Sequence, residues 1–394
     1  MSATRHWPGV IAASLTATAT VMPGFTVGAL APALEADLHI PTTTVGLAMS
    51  AFYAATALGS PLAKRVAARL PIPITLAAAS VLASATMLLA AQVTSAAALF
   101  ATLLAGGLGN GLVQPAASRF IAERSPSRRR SLAAGIVGAA LGAATLVPGL
   151  LVAFVVQPYG WRAALTIAAL LALAPAALAP LTRGGAPARA VQPVRAARSR
   201  ALVLWAVAAA LSATGNNAVA SYFVQLGTHS GLATDVTGTL LAMSAVIAIA
   251  VRLIAGALTD RAPRHNPAVI TAMMLSGGAG LALISLGSPA TFLIGAVLAF
   301  SAGWGWTGLL LASAIHLLPG RAENAGHLVQ VGIYTGATVA PFGFGALSAA
   351  LGITGATLTA AAATFMAAAL IATGASLLAR PITDTQPAPG TPAG

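Results

Sequence analysis

Apolar runs of about 20 residues, each long enough to cross a ~30 Å hydrocarbon core, recur at near-even spacing along this 394-residue chain. Twelve can be counted, over approximately 8–32, 42–63, 72–91, 95–122, 130–156, 161–181, 201–226, 236–258, 268–287, 289–318, 324–350 and 354–379. Backbone in lipid must satisfy its own hydrogen bonds, which leaves helices or a closed barrel. Barrel strands would alternate in polarity over ~10-residue segments, and stretches such as Leu165 to Leu178 do not. The expectation is an all-α integral membrane protein with twelve transmembrane helices. Connections as short as Val93–Thr94 and Gly287–Ser288 make consecutive helices antiparallel. Only 7% of residues are charged, against roughly 25% in soluble domains, so a soluble protein is excluded.

One polar interruption is longer than the others. Thr182 to Arg200 carries Arg183, Arg189, Arg195, Arg198, Arg200, Pro187 and Pro193. It divides the chain into an N-terminal six-helix bundle (1–182), a linker (183–200) and a C-terminal six-helix bundle (201–380), with a Pro-rich tail (381–394) that reads as disordered. With helix 1 starting in the cytoplasm, 17 of the 20 basic residues fall in cytoplasmic segments. By the positive-inside rule both termini, the linker and the tail are then cytoplasmic, in a cell (inner or plasma) membrane. The net charge of +13 is therefore a topology signal, and no nucleic-acid partner is needed to explain it. With no cysteine, the chain has no disulfide, thiolate metal site or cysteine nucleophile.

Sliding the second half back over the first aligns Gly256-Ala257-Leu258-Thr259-Asp260-Arg261 with Gly59-Ser60-Pro61-Leu62-Ala63-Lys64, each at the cytoplasmic end of an even-numbered helix. Gly256-x-x-x-Asp260-Arg261 resembles the loop motif of the major facilitator superfamily, whose carriers have six plus six helices and a basic middle linker. Gly107-Leu108-Gly109-Asn110-Gly111 leading to Pro115 and Arg119, and Tyr159-Gly160-Trp161-Arg162, are similar to the same family. The resemblance implies two pseudo-symmetric bundles rocking about a midplane site lined by helices 1, 4, 7 and 10. It also implies a gating latch at the cytoplasmic face, drawn from Asp260, Arg261, Gly256, Gly59, Lys64, Arg119 and Arg124. Ala63 stands where the family has an acid, so Asp260 is expected to carry the latch alone.

Ionisable groups at bilayer depth are costly unless paired or wet, so each is a functional candidate. Arg252 lies eight residues before Asp260, roughly 12 Å inside the boundary at 1.5 Å per residue. It either hydrogen-bonds carbonyls at a helix break or holds an anionic substrate group, for which a guanidinium fork is suited. The spacing Arg252-x-x-x-Gly256-x-x-x-Asp260 resembles helix 8 of monocarboxylate and oxalate carriers. Asn110 and Gln114 share one face of helix 4 and either bind substrate or join helices. Gly215-Asn216-Asn217 reads as a locally irregular segment of helix 7. Trp304 and Trp306 fall in mid-helix 10 facing different directions, so one is expected to line the cavity. Tyr53 and Tyr334 lie near mid-depth, and His327, Gln330 and Tyr334 share a face of helix 11.

All seven acids fall at or outside the expected membrane boundaries, Glu35, Asp37 and Asp235 on one side and Glu123, Asp260, Glu323 and Asp384 on the other. A proton would then travel on a histidine or with the substrate. The expectation is a monomeric secondary transporter for a small organic or inorganic anion or weak acid, a proton being the candidate co-substrate in a symporter. The alternative is an efflux carrier for hydrophobic drugs or metabolites, favoured by Trp304, Trp306 and Phe25. No enzyme motif such as HExxH or GxSxG is present, and no cofactor or metal is expected.

Overall fold

The computed structural model describes residues 6–125, 130–183, 200–259, 266–317 and 322–379, and every regular element among them is helical. The first half comprises α1 (Trp7–Ala29), α2 (Ala31–Leu38), α3 (Thr42–Arg69), α4 (Ile72–Ala90), α5 (Ala96–Asn110), α6 (Val113–Arg124), α7 (Arg130–Phe154) and α8 (Val156–Leu178). The second comprises α9 (Arg200–His229), α10 (Thr234–Thr259), α11 (Asn266–Ile284), α12 (Pro289–Leu317) and α13 (Ala322–Ala379). Eleven helical segments are long and apolar enough to cross a membrane, and the last of them, Leu328–Leu378, bends at Gly352 into two passes. That makes twelve spans, as the apolar runs require.

The bend at Gly352 (φ 75°, ψ 166°) has a counterpart at Gly160 in α8 (φ 78°, ψ 169°). Each glycine opens the last span of its half. The left-handed φ is accessible to glycine at no steric cost, whereas a Cβ would strain it. The internal repeat is thus visible in the backbone as well as in the sequence.

Three boundaries differ from expectation. The run 8–32 ends as a span at Ala29, and α2 follows as a separate helix of 8 residues after a junction at Leu30. The run 95–122 is interrupted by a turn at Gly111 and Leu112 between α5 and α6. The run 42–63 continues helically to Arg69, so Lys64, Arg65 and Arg69 ride on the end of α3. In each case apolar content marked the lipid-crossing part but did not mark where the backbone turns. The linker residues 184–199 and the tail 380–394 lie outside the described residues.

Lipid offers apolar helices no hydrophobic reward for meeting one another, so association depends on close backbone approach. Small residues supply it. Gly107 of α5 lies against the Phe52 carbonyl of α3, Gly280 of α11 lies back to back with Gly295 of α12, and Gly332 and Gly336 of α13 lie against the Ala206 and Ala210 carbonyls of α9. Large apolar side chains face outward instead, among them Leu58 (82% exposed) and Leu286 (67% exposed). The two halves meet through α1 with α9, α3 with α13 and α7 with α10.

Candidate functional site

Among the described residues the contact between the halves is concentrated at one end of the bundle. At the end that carries Glu35, α7 and α10 touch through their backbones. A Cβ on Gly149 would come within 2.6 Å of the Ala242 nitrogen, and one on Gly238 within 2.6 Å of the Ala153 nitrogen. Two turns further along α7, Gly142 still touches Ile249, at 3.2 Å for an added Cβ. At Gly138 and Gly135 an added Cβ would meet nothing within 4 Å. The same divergence occurs between α3 and α13. Gly46 abuts the Pro341 carbonyl, and the Phe342 amide donates to Ser50 Oγ at 3.0 Å, whereas Gly59, near the other end of α3, meets among the described residues only Leu108 of its own half. Among the described residues the halves therefore form a cleft, closed toward Glu35 and open toward the end bearing Lys64, Arg65 and Arg124.

Arg252 sits at the vertex of this cleft. Its Nη1 donates across the halves to the Gly138 carbonyl at 3.1 Å, and its Nε donates to the Trp304 carbonyl at 3.1 Å. The guanidinium carbon lies 5.1 Å from the centroid of the Trp304 ring, within cation–π range. Among the described residues no carboxylate pairs with it; the ion pairs there are Arg119–Glu123 and Arg162–Asp37. Carbonyl dipoles satisfy N–H groups but bring no formal negative charge, and no carboxylate among the described residues supplies one. A guanidinium has five donors, so the site retains capacity for an anion.

Aromatic rings continue from this point into the first half. Trp304 lies 5.3 Å from Phe300 and 5.7 Å from Phe25 of α1, and Phe25 lies 6.2 Å from Tyr53 of α3. The buried Tyr53 hydroxyl has no hydrogen-bond partner among the described residues. Phe25 and Trp304 thus close the middle of the interface with apolar surface, beside the Arg252 cation.

The other sequence candidates separate into distinct environments. Of the two tryptophans, Trp304 is the one between the halves; Trp306 is fully buried in the second half with Trp205, Leu202 and Leu310. Asn216 Nδ2 donates to the Gly303 carbonyl at 2.6 Å, tying α9 to α12, and Asn217 Nδ2 donates to Ala213 of its own helix at 2.9 Å. The expected irregularity at Gly215-Asn216-Asn217 is absent. Those residues are helical, their Nδ2 groups donating to carbonyls of regular helices while Asn216 Oδ1 is buried without a partner among the described residues, and the departure falls at Tyr222 (φ −112°, ψ 18°). Asn110 Nδ2 donates to Thr56 Oγ1 at 3.1 Å, whose hydroxyl in turn donates to the Gly107 carbonyl at 2.9 Å, joining α5 to α3. Gln114 is exposed, and Tyr334 shares a hydrogen bond with Gln330.

The gating candidates are only partly within view. Asp260 and Arg261 lie outside the described residues, and Gly256 lies in α10. Gly59 packs on Leu108, and Lys64 is exposed. Ala63, at the position of the missing acid, is buried near Gly111. Arg119 pairs with Glu123 at 2.8 Å and donates to the carbonyls of Ala67 and Leu70, capping the end of α3. Arg124 donates to the Arg183 carbonyl at 2.6 Å. Glu35 was missed in the sequence as a buried group. It is half-buried, accepting from Gln225 Nε2 at 2.8 Å and from Thr42 Oγ1 at 3.1 Å. Burial raises its pKa above the ordinary carboxylate value, only partly offset by these two donors.

Twelve membrane-length passes in two repeated halves fit a membrane transporter rather than an enzyme. The chain belongs to the Major Facilitator Superfamily, whose family model matches residues 11–341. Solved structures agree in fold. A D-xylose–proton symporter aligns at 16% identity and TM-score 0.71 over 93% of this chain and 97% of its own. A peptide transporter, POT, aligns at 13% identity and TM-score 0.75 over 94% of each chain. A bacterial homologue of the human lysosomal transporter Spinster, in an inward-facing and unoccupied conformation, aligns at 15% identity and TM-score 0.67 over 96% and 97%. No curated protein sequence matches significantly.

Proposed function

We propose that this transporter carries a small organic or inorganic anion, with Arg252 as the anion ligand, by rocking its two bundles (1–182 and 201–380, joined by the linker 183–200) about the Arg252 vertex. The observation that carries the reading is the Arg252 guanidinium itself, reachable through the open end of the cleft, bound to two carbonyls and lacking a counter-anion among the described residues. A charged side chain at this depth costs several kcal/mol on insertion scales. An anion arriving from water would exchange its hydration for a fixed fork and the Trp304 ring, and would relieve that cost. A weak acid also supplies its own proton, which fits the absence of a mid-membrane acid in the sequence.

Orientation belongs to the same reading. Lys64, Arg65, Arg69, Arg124 and Arg183 lie at the open end, and Glu35, Asp37 and Asp235 at the closed one. The positive-inside rule then makes the open end cytoplasmic and the arrangement inward-facing. The carrier acts as a monomer in the cell membrane, with Asp260 latching the cytoplasmic end when it closes.

The test is thermal protection of the purified protein by short-chain and aromatic monocarboxylates and by inorganic oxyanions, for wild type and Arg252→Gln. Loss of protection in a variant that still elutes as a monodisperse species supports the reading; undiminished protection overturns it. Protection by uncharged or cationic amphiphiles alone would favour the efflux alternative, to which the Phe25, Phe300 and Trp304 surface is suited.

A further inference from the structure

We propose that Glu35 is a proton-binding site that controls closure of its end of the transporter: protonated, it favours the closed end, and ionised, it favours opening. The proposal does not depend on what Arg252 binds.

The geometry sets up a contact that must break when this end opens. α2 is held to the first half by two attachments. Arg162 of α8 pairs with Asp37 at 2.8 Å, and Thr42, at the start of α3, donates to Glu35 Oε2. The other carboxylate oxygen accepts from Gln225 of α9, in the second half. Beside this bond, Gly28 of α1 lies against the Ser221 backbone of α9, and Gly46 of α3 lies against the Pro341 carbonyl of α13. Opening would carry Gln225 away with α9 and leave Glu35 on the first half, in water.

Closing therefore desolvates a carboxylate and returns to it one amide donor, Gln225, while the Thr42 hydroxyl stays with it in the first half. Burial is the larger effect, so the group holds its proton more tightly when the end is closed than an exposed carboxylate does. The sign follows from linkage. Closing takes up a proton, so the closed end is favoured in acid and loses that preference as pH rises through the raised value. The contact survives protonation. The Gln225 amide still donates to the acid's carbonyl oxygen, and the Thr42 hydroxyl can turn to accept from its O–H.

Other titratable groups stand around the site. Asp37 is paired with Arg162 on the surface, and the His39 ring hydrogen-bonds the Asp37 carbonyl oxygen. α9 contributes Tyr222, which interacts with the Glu35 charge, and carries the exposed His229 one turn beyond Gln225, while α8 carries the exposed Tyr159 one turn before Arg162. The last turn of α1 contributes no base and the first turn of α3 no acid, and Asp235 stands in the first turn of α10. Any of these could impose a pH dependence of its own, so the test must isolate Glu35.

The natural absence of cysteine permits a spin-label pair without background substitutions. Ala36→Cys on α2 and Ala233→Cys just before α10 are both at exposed positions. Their separation is measured by double electron–electron resonance in lipid nanodiscs at about pH 4 and about pH 8, below and above the ordinary glutamate value. The expected result is a shift of the distribution toward the short distance in acid with Glu35 present. With Glu35→Gln, which mimics the protonated form, the short distance should persist at both pH values. Glu35→Ala provides a second non-titrating background in which the shift must also vanish. A distribution unaffected by pH with Glu35 present, or an equal acid shift in both substituted backgrounds, overturns the proposal.

Discussion

The Arg252 Nη1 and the Gly138 carbonyl, 3.1 Å apart, join the two halves at the level where α7 and α10 begin to separate. The bond crosses the interface from the second half to the first, so it is available only in arrangements that keep these helices together at this depth. Arg252→Lys preserves the charge but replaces a planar fork with a single ammonium, which cannot span the Gly138 and Trp304 carbonyls in the same geometry. Anion binding by the lysine variant should weaken by about 1–2 kcal/mol, roughly tenfold, without being abolished. Titration calorimetry with the best protecting anion checks it; equal affinity in the two proteins would show that the fork is not used.

The glycines of α7 divide at the same vertex. Gly149 faces the α10 backbone with no room for a Cβ, whereas Gly138 faces open space. Gly149→Val should force α7 and α10 apart at the Glu35 end, costing about 1–3 kcal/mol through overpacking. Gly138→Ala should be neutral or stabilising by up to about 1 kcal/mol, from helix propensity alone. Thermal unfolding of the two variants in one detergent provides the comparison, and a Gly149→Val protein as stable as wild type would mean that the halves are not clamped there.

Twelve spans and the repeat were legible because hydropathy and the loop motif operate over lengths that local packing does not disturb. Arg252 was legible for the same reason, a charge where lipid permits few. The amides were harder. Asn110 and Asn216 carry the same functional groups whether they face a cavity or a neighbouring helix, and only the positions of Thr56 and the Gly303 carbonyl distinguish the two. Glu35 escaped notice because its burial depends on α2 folding back under α9, a contact between residues 190 positions apart. The aromatic bridge from Trp304 to Phe25 likewise joins opposite halves. One-dimensional periodicity contains no term for such pairings.

Tyr222 Oη donates to the Pro341 carbonyl at 2.7 Å, and its ring stacks on Phe344 with centroids 4.9 Å apart. Proline at 341 lies inside α13, where it interrupts the helical hydrogen-bond ladder. Tyr222→Phe removes the hydroxyl and keeps the ring, so the Pro341 carbonyl loses its donor from α9 at a cost of about 1 kcal/mol. The expected outcome is a lower unfolding temperature with unchanged anion affinity, since the residue lies toward the Glu35 end rather than at the vertex. Thermal unfolding read beside titration separates the two effects, and a loss of affinity equal to that of Arg252→Gln would contradict this separation.

Arg162 and Asp37 hold α2 against α8, yet both side chains are 45% exposed. Exposed pairs contribute little because water and salt screen them. The coupling between Arg162→Ala and Asp37→Ala in a double-mutant cycle should therefore stay below about 1 kcal/mol and shrink further in about 1 M salt. Arg162→Ala alone should cost more than Asp37→Ala. Its guanidinium also lies 4.2 Å from the Trp161 ring centroid and donates to the Val93 carbonyl at 3.5 Å, contacts that Asp37 does not share. Unfolding free energies for the four proteins decide the point: equal losses for the two single variants would assign the whole effect to the ion pair and none to the aromatic face.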